Sequence, residues 1–375
     1  MGGGGVRVLH ISTPSTWRGG EQQVFWLLSE QRRQGLKVGL MTPTGSVLGE
    51  KAKEAEPLLF SFRRRGAFDP VAAWHLRRIC RGEQFDIIHA HDSHAHTLAV
   101  LSASLFGNPL PVFVSRRVDF PASSGGLGKS KYHHPKVKGF ICVSKAIKSV
   151  MLKSGIDAAK LHVVRSGIDI KRFEGRGDGR LRREFGIPPD VPIVANLSAI
   201  APHKDYPTFV KAAEYFLATN GRARFLIIGG DGGEEETMRG LVQEKGLQND
   251  LIFTGFRNDV PDILPEVDLF LITSKTEGLG TTILDAFAAG VPVVATKAGG
   301  IPEIVRHRET GLLADLGDSQ VLATYLHEML NDAALRGGII ERSKQWVRMF
   351  SKEKVAEETL KIYRGEFIEL GEESL

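Results

Sequence analysis

Two doubly wound α/β domains are predicted for this chain of 375 residues. Three observations predict them. Short apolar runs alternate with helical stretches, the pattern of a parallel sheet with helices on both faces. The alternation breaks once, over "KRFEGRGDGRLRREFGIPPD" at 171–190, and then restarts. The acids, the lysine and the glycine loops that could carry chemistry fall directly after apolar runs, where open parallel sheets bind ligands.

In the first half, "VRVLHIS" at 6–12 is a strand, followed by the glycine loop "TWRGG". In the next stretch Val24, Leu27, Leu28 and Gln31 share a helical face, and Gly35 stops the helix. "LKVGLMT", "FDIIHAH" at 85–91, "LPVFVS" at 110–115 and "GFICVS" at 139–144 read as strands. "KAIKSVMLKSG" is a helix with a glycine stop, and "KLHVVRSGID" runs from strand into loop. The charged, Gly- and Pro-bearing stretch at 171–190 reads as a linker with a short helix. Beyond it the strands are "PIVANLS", "RFLIIGG", "LIFTGF", "DLFLITS" and "PVVATK". The chain ends in "SKEKVAEETLKIYRGEFIEL", where Ala356, Leu360, Tyr363 and Phe367 form an apolar stripe at helical spacing. The expected domains are therefore 1–172 and 173–350, with a terminal helix in 351–375.

Composition narrows the class. With 42% hydrophobic and 25% charged residues the chain reads as a soluble globular protein with large cores. No stretch approaches the roughly 18–20 apolar residues of a membrane span. The opening "MGGGG" lacks the regions of a signal peptide, and Val6 stands where a myristoylation motif needs Ser or Thr. Cys80 and Cys142 are too few for a disulfide framework and read as buried thiols in a reducing, cytoplasmic compartment. The net charge of +5 hides an asymmetry: residues 1–175 hold 26 Lys and Arg against 13 Asp and Glu, and the remainder 23 against 31. Basic clusters at 62–66, 76–81, 115–119 and 129–138 favour an anionic partner, which we expect to be a membrane surface visited peripherally or a phosphorylated acceptor. Nucleic acid is not expected, because stacking aromatics are not interleaved with the clusters.

The chemistry concentrates in "SKTEGLGTTILDAFAAGVPVVATKAGGIPEIV" at 274–305. Gly278 and Gly280 allow positive φ and close approach of a ligand to the backbone. The amides of Gly280, Thr281 and Thr282 then point out of a helix start, an anion site that suits phosphate. Asp285, about one turn in, is placed to accept from a ribose on that phosphate; Glu277 precedes the glycines. On these residues alone a tight strand-to-helix turn with a surface glutamate fits as well. Lys204, at the end of the loop in "NLSAIAPHKDYPTFVKAA", can meet a diphosphate as a point charge, or be a solvated loop lysine. "LIIGGDGGEEE" at 226–236 is a third glycine loop after a strand.

In this order the blocks "RGGEQQVFWLLSEQRRQGLKVGLMT", "FDIIHAHDSHA", "ICVSKAIKSVMLKSGIDAAKLHVVRSGIDIKRF", "PHKDYPTFVKA", "FLIIGGDGGEEE", "LIFTGFRNDVPDIL" and "EGLGTTILDAFAAGVPVVATKAGGIPEIV" resemble the retaining glycosyltransferases of family 4. The resemblance covers nearly the whole chain. It implies the GT-B fold, two Rossmann-like domains facing across a cleft, with the final helix crossing back to the first. It implies transfer of a sugar from a nucleotide diphosphate sugar (UDP-, GDP- or ADP-linked) to a glycan or lipid-linked acceptor, as in lipopolysaccharide core synthesis.

Residue by residue, the resemblance puts Glu277 against the donor sugar near the reacting centre, and Asp285 where the family usually has the ribose-binding Glu. Gly278, Leu279, Gly280, Thr281 and Thr282 would offer backbone donors to the phosphates, with Leu279 where Phe is common. Lys204 matches the diphosphate lysine; Ser198 stands where many members carry a second phosphate cation, Arg. Arg257 would contact base or phosphate. Gly19 and Gly20 match the loop that lets diphosphate or acceptor approach the first domain. His91 matches the histidine that faces the sugar, and Glu303 an acid near the donor pocket, with Pro302 favouring a helix start.

No Asp-any-Asp triplet occurs, so we expect no metal and no other cofactor, Lys204 and the helix start taking the metal's part. The cluster His89, His91, His94 and His96 raises zinc as a rival, without a nearby cysteine. "GGDGG" raises a dinucleotide oxidoreductase, but its spacing departs from the fingerprint and the next strand ends in "FTGF" without the acid that would hold the ribose. A nonhydrolysing sugar-nucleotide epimerase of the same architecture and a non-catalytic anionic-surface-binding protein are the remaining alternatives.

Overall fold

The structure is a computed structural model that describes residues 5–66, 68–121, 126–175 and 177–366. It divides into two compact units, Met1–Gly167 with Lys352–Leu375, and Ile168–Ser351.

The first unit is built on seven parallel strands: β1 Arg7–Ile11, β2 Lys37–Pro43, β3 Leu58–Phe62, β4 Ile87–Ala90, β5 Val112–Arg116, β6 Val137–Cys142 and β7 Leu161–Val163, in the order β3-β2-β1-β4-β5-β6-β7. Their runs are apolar because helices cover both faces of the sheet. Strand β3, the run LLFSF, is absent from the expected strands; it is the sheet edge, where Leu58 and Leu59 stay 38% and 40% exposed. The order reverses between β1 and β4, which opens a crevice at the carboxyl ends of those strands.

The terminal helix Lys352–Tyr363 belongs to this unit and lies along the helix Gly19–Arg33. Its buried residues are Ala356, Thr359, Ile362 and Tyr363, with Leu360 packed beside them. Phe367, the last of the expected stripe, lies outside the described residues. Lys352 pairs at 3.4 Å with the buried Glu30, and the Tyr363 hydroxyl reaches His89 Nδ1 at 2.5 Å.

The second unit carries six parallel strands: β8 Ile193–Leu197, β9 Arg224–Ile228, β10 Leu251–Gly255, β11 Leu269–Ile272, β12 Val293–Thr296 and β13 Leu312–Ala314, in the order β10-β9-β8-β11-β12-β13. The order reverses between β8 and β11. Strand β13 is a three-residue edge, too short to leave a periodic signal. The core gathers Phe209, Phe216 and Phe225 with Leu269, Leu271 and Leu326, each aromatic ring worth roughly 2–3 kcal/mol on burial.

Residues 171–190 hold a 3-10 turn, Ile170–Phe173, and a helix, Arg180–Glu184. Both belong to the second unit: Phe173 and Leu181 are buried, and the turn packs on the helix Thr281–Ala289. The chain therefore divides after Gly167, ahead of the expected 172, and Ile168 bridges to Ser351, where it divides again.

Candidate active site

In the second unit three loops converge at the carboxyl ends of β8, β11 and β12. After β8, the 3-10 turn Pro202–Lys204 delivers Lys204 just before the helix Tyr206–Ala218. After β11, Glu277 turns back so that its Oε1 accepts from Lys204 Nζ at 2.5 Å and from Ser274 Oγ at 2.8 Å. The two loops are laced together again: Lys275 N donates to His203 O at 2.9 Å, Lys275 Nζ pairs with Asp205 Oδ1 at 3.2 Å, and Thr273 Oγ1 donates to the carbonyls of Lys204 and Asp205. The Lys204 and Glu277 side chains are only 17% and 11% exposed, so their pairing is less screened than a surface ion pair.

The loop after β12 sets the height of Glu277. Gly300 N donates to Glu277 O at 3.0 Å, and Gly299 takes φ +52° against the same carbonyl. A β-carbon on Gly299 would stand 2.0 Å from Glu277 O. We expect Gly299→Ala to displace Glu277: left-handed strain of about 1–3 kcal/mol adds to that collision. The variant should melt lower and bind nucleotide at least roughly tenfold more weakly. A β-carbon on Gly20 meets nothing within 4 Å, so Gly20→Ala should melt with wild type; equal melting of Gly299→Ala would refute the collision.

Beyond Glu277, Gly278 and the buried Leu279 lead to Gly280, the N-cap of the helix Thr281–Ala289, where φ is +86°. No side chain caps this helix, and among the described hydrogen bonds the amides of Gly280, Thr281 and Thr282 have no acceptor. An uncapped helix start of this kind attracts an anion. Asp285, one turn on, is half-buried and carries no described hydrogen bond. Burial pushes its carboxyl up to about 7, against an opposing pull from Arg172. Glu303, partly buried, closes the 3-10 turn Ile301–Glu303 that follows Gly300.

Two expected donor ligands are held elsewhere. Ser198 Oγ donates to Asn196 Oδ1 and lies 2.9 Å from the Tyr206 hydroxyl, while Asn196 Nδ2 donates to Leu271 O across to β11. Ser198 braces the strand ends. Arg257 donates twice to Asp259, at 2.8 and 2.7 Å, and once to Glu184 at 2.6 Å; these acids hold its guanidinium up and occupy it. In this chain it links Glu184 to Asp259.

The third glycine loop is spent internally. Asp231 Oδ1 accepts from the amides of Gly233, Glu234 and Glu235, so a carboxylate already sits where a dinucleotide would need its pyrophosphate. Gly229 is glycine because a β-carbon would lie 2.0 Å from Ser198 O.

In the first unit, the crevice between β1 and β4 is closed by Thr13, whose N and Oγ1 both donate to Asp92, at 2.8 and 2.7 Å. Asp92 also caps the helix Ser93–Phe106. Gly19 and Gly20 begin the neighbouring helix and are exposed and half-exposed. His91 does not face outward. The residue is 6% exposed, and its ring is turned into the core of this unit. Arg117 Nη2, which can only donate, lies 3.3 Å from His91 Nδ1, so that nitrogen is the acceptor. His91 Nε2 then donates to His10 Nδ1 at 2.8 Å, and His10 Nε2 to Gln31 Oε1 at 2.8 Å. His89 joins through Ser115 Oγ at 2.8 Å and through Tyr363.

His10, in the apolar strand β1, was missed in the sequence; a histidine amid valine, leucine and isoleucine was the available signal. His10, His89 and His91 have the spacing of a metal site, while His94 is exposed and His96 bonds Lys131 O. Their ring nitrogens are all engaged in this chain, and the adjoining cation Arg117 opposes a further positive charge. Burial holds all three well below the ordinary imidazole range, His10 at about 4.

Comparison with known proteins decides what such a site belongs to. The family described as Glycosyltransferase Family 4 matches residues 17–172, and that described as Glycosyl transferases group 1 matches residues 178–346. The chain belongs to the family 4, group 1 glycosyltransferases. This glycosyltransferase is 26% identical to the N-acetyl-alpha-D-glucosaminyl L-malate synthase of Bacillus anthracis over 306 residues, covering 79% of each chain. It is 25% identical to the UDP-Gal:alpha-D-GlcNAc-diphosphoundecaprenol alpha-1,3-galactosyltransferase of Escherichia coli, over 69% of this chain and 70% of the other. In fold it matches Anabaena HepE, solved in complex with UDP and glucose, with TM-score 0.83 at 19% identity over 96% of this chain and 100% of the other. These matches establish the GT-B fold and favour sugar transfer over the epimerase reading.

Proposed function

We propose that this glycosyltransferase moves a sugar from a nucleotide diphosphate sugar to a glycan or lipid-linked acceptor, with retention of configuration and without a metal. The observation that carries the reading is the uncapped helix start at Gly280–Thr282 in the same loop system as Lys204, Glu277 and Asp285. The amides and the lysine offer a preorganised positive field to a diphosphate that gains charge as it leaves. Asp285 accepts from the ribose. The acceptor oxygen attacks the anomeric carbon from the face on which the diphosphate departs; the carbon–oxygen bond to phosphate breaks, and a phosphate oxygen takes the hydroxyl proton. Relatives named for a diphosphoundecaprenol acceptor and for lipopolysaccharide core synthesis support a lipid-linked or core glycan acceptor. No helix among the described residues is long and apolar enough to cross a membrane. We read the enzyme as cytoplasmic, meeting an anionic membrane face through its basic first unit, which holds 28 Lys and Arg against 18 Asp and Glu.

A thermal-shift panel of UDP, GDP, ADP and their sugars, with and without EDTA, tests the reading. One nucleotide series should raise the melting temperature by mass action, unchanged by EDTA. Because Asp285 must ionise to accept both ribose hydrogens, the shift should grow as pH rises from 6 to 8 through about 7, and Asp285→Asn should lose that growth. No shift with any nucleotide sinks the proposal; a shift abolished by EDTA sinks its metal-free part.

A further inference from the structure

The helix Pro70–Gly82 buries Ala72, Ala73, Leu76, Ile79 and Cys80. Its opposite face is unusual. Val71, Trp74, Arg78 and Arg81 follow at steps of three and four, so they share one side of the helix. Val71 is 52% exposed and Trp74 46%, and the Arg78 guanidinium lies 4.9 Å from the Trp74 ring centre. Phe68, 61% exposed, stands just ahead of the helix. Arg63, Arg64 and Arg65 are exposed in the preceding loop, which Arg65 N ties to the Asp69 cap at 3.2 Å.

Between residues 63 and 82 there are six arginines and one acid, Asp69. Asp69 is buried and spent on the amides of Ala72 and Arg65, so it does not neutralise the surface. Two exposed aromatic rings and a valine ringed by arginines suit the boundary of an anionic bilayer. There the rings sit at headgroup depth, and guanidinium groups on long stems reach lipid phosphates.

We propose that the Phe68–Val71–Trp74–Arg78 face, with Arg63–Arg65, docks the first unit onto anionic lipid. This deepens the lipid-linked acceptor reading and rests on it: the enzyme would be held at the surface where its acceptor resides.

Co-sedimentation with phosphatidylglycerol vesicles and with phosphatidylcholine vesicles tests it, on the full chain. Wild type should pellet with the first and stay soluble with the second. Phe68→Ser with Trp74→Ser should weaken binding at least roughly tenfold. Arg63→Gln, Arg64→Gln and Arg65→Gln together should weaken it on the order of a hundredfold, since each cation near an anionic surface is worth roughly fivefold. Nucleotide thermal shift, measured on every variant, confirms the fold and isolates the transferase reading: vesicle binding without a nucleotide shift leaves the docking face standing alone. Equal binding to both vesicles overturns the proposal, as do variants that bind like wild type. Failure to bind either vesicle also overturns it, and self-association lost in the Trp74→Ser variant would then assign the face to a second copy.

Discussion

Acidification from pH 7 to 5 should unfold the first unit while the second persists. Four histidines of the first unit are buried and held neutral by burial: His10 at about 4, His96 at about 3, and His89 and His91 well below the ordinary range. Above pH 6.5 folded and unfolded chains are both neutral at these positions and the groups contribute nothing to the pH dependence. Below 6.5 the unfolded chain takes protons that the folded chain refuses, so stability falls as pH falls. The loss continues until the folded values are reached. Each histidine then costs about 1.4 kcal/mol per pH unit, so His10 and His96 alone cost about 4 kcal/mol by pH 5, and His89 and His91 add in the same direction.

An ordinary domain is stable by only about 5–15 kcal/mol, so a loss of this size is a large share of it. Glu21 and Glu358, raised by burial in the same unit, work the other way, because the folded chain holds their protons more tightly. His134, His162 and Asp86 of the same unit, all lowered, add to the four histidines. Urea unfolding followed by circular dichroism should show two transitions at pH 7, one of which moves to much lower urea at pH 5. A first-unit midpoint that does not move would mean that the histidines are charged or solvated in the folded state.

Lys204→Ala should reduce turnover on the order of 10²–10³-fold, the usual cost of removing one preorganised donor from a developing anion. The loss should fall on kcat more than on donor affinity, because the helix-start amides still bind the ground-state diphosphate. Lys204 and Glu277 share a 2.5 Å contact, so they act as a unit. The double variant Lys204→Ala with Glu277→Gln should therefore be hardly slower than Lys204→Ala alone, whereas independent roles would multiply. Retained turnover in Lys204→Ala would remove the lysine from the reaction, and strictly multiplicative losses would show that the two side chains act independently.

The amino-acid sequence by itself determined the strand–helix alternation, both parallel sheets apart from their weakest edges, and the three loops that carry Lys204, Glu277 and Gly299. These follow from local rules: apolar runs the length of a strand, glycine where the backbone must turn, polar residues where a strand stops. Tertiary structure alone decided which of those residues are free. Arg257 is tied to Glu184, 73 positions away. His91 is bonded to His10, 81 positions away. Ser198 read as a vacant cation position but braces two strands through Asn196 and Tyr206. A charge or a ring nitrogen is available to a ligand only if nothing nearer satisfies it. Partners so remote along the chain meet through sheet order, which local periodicity does not encode.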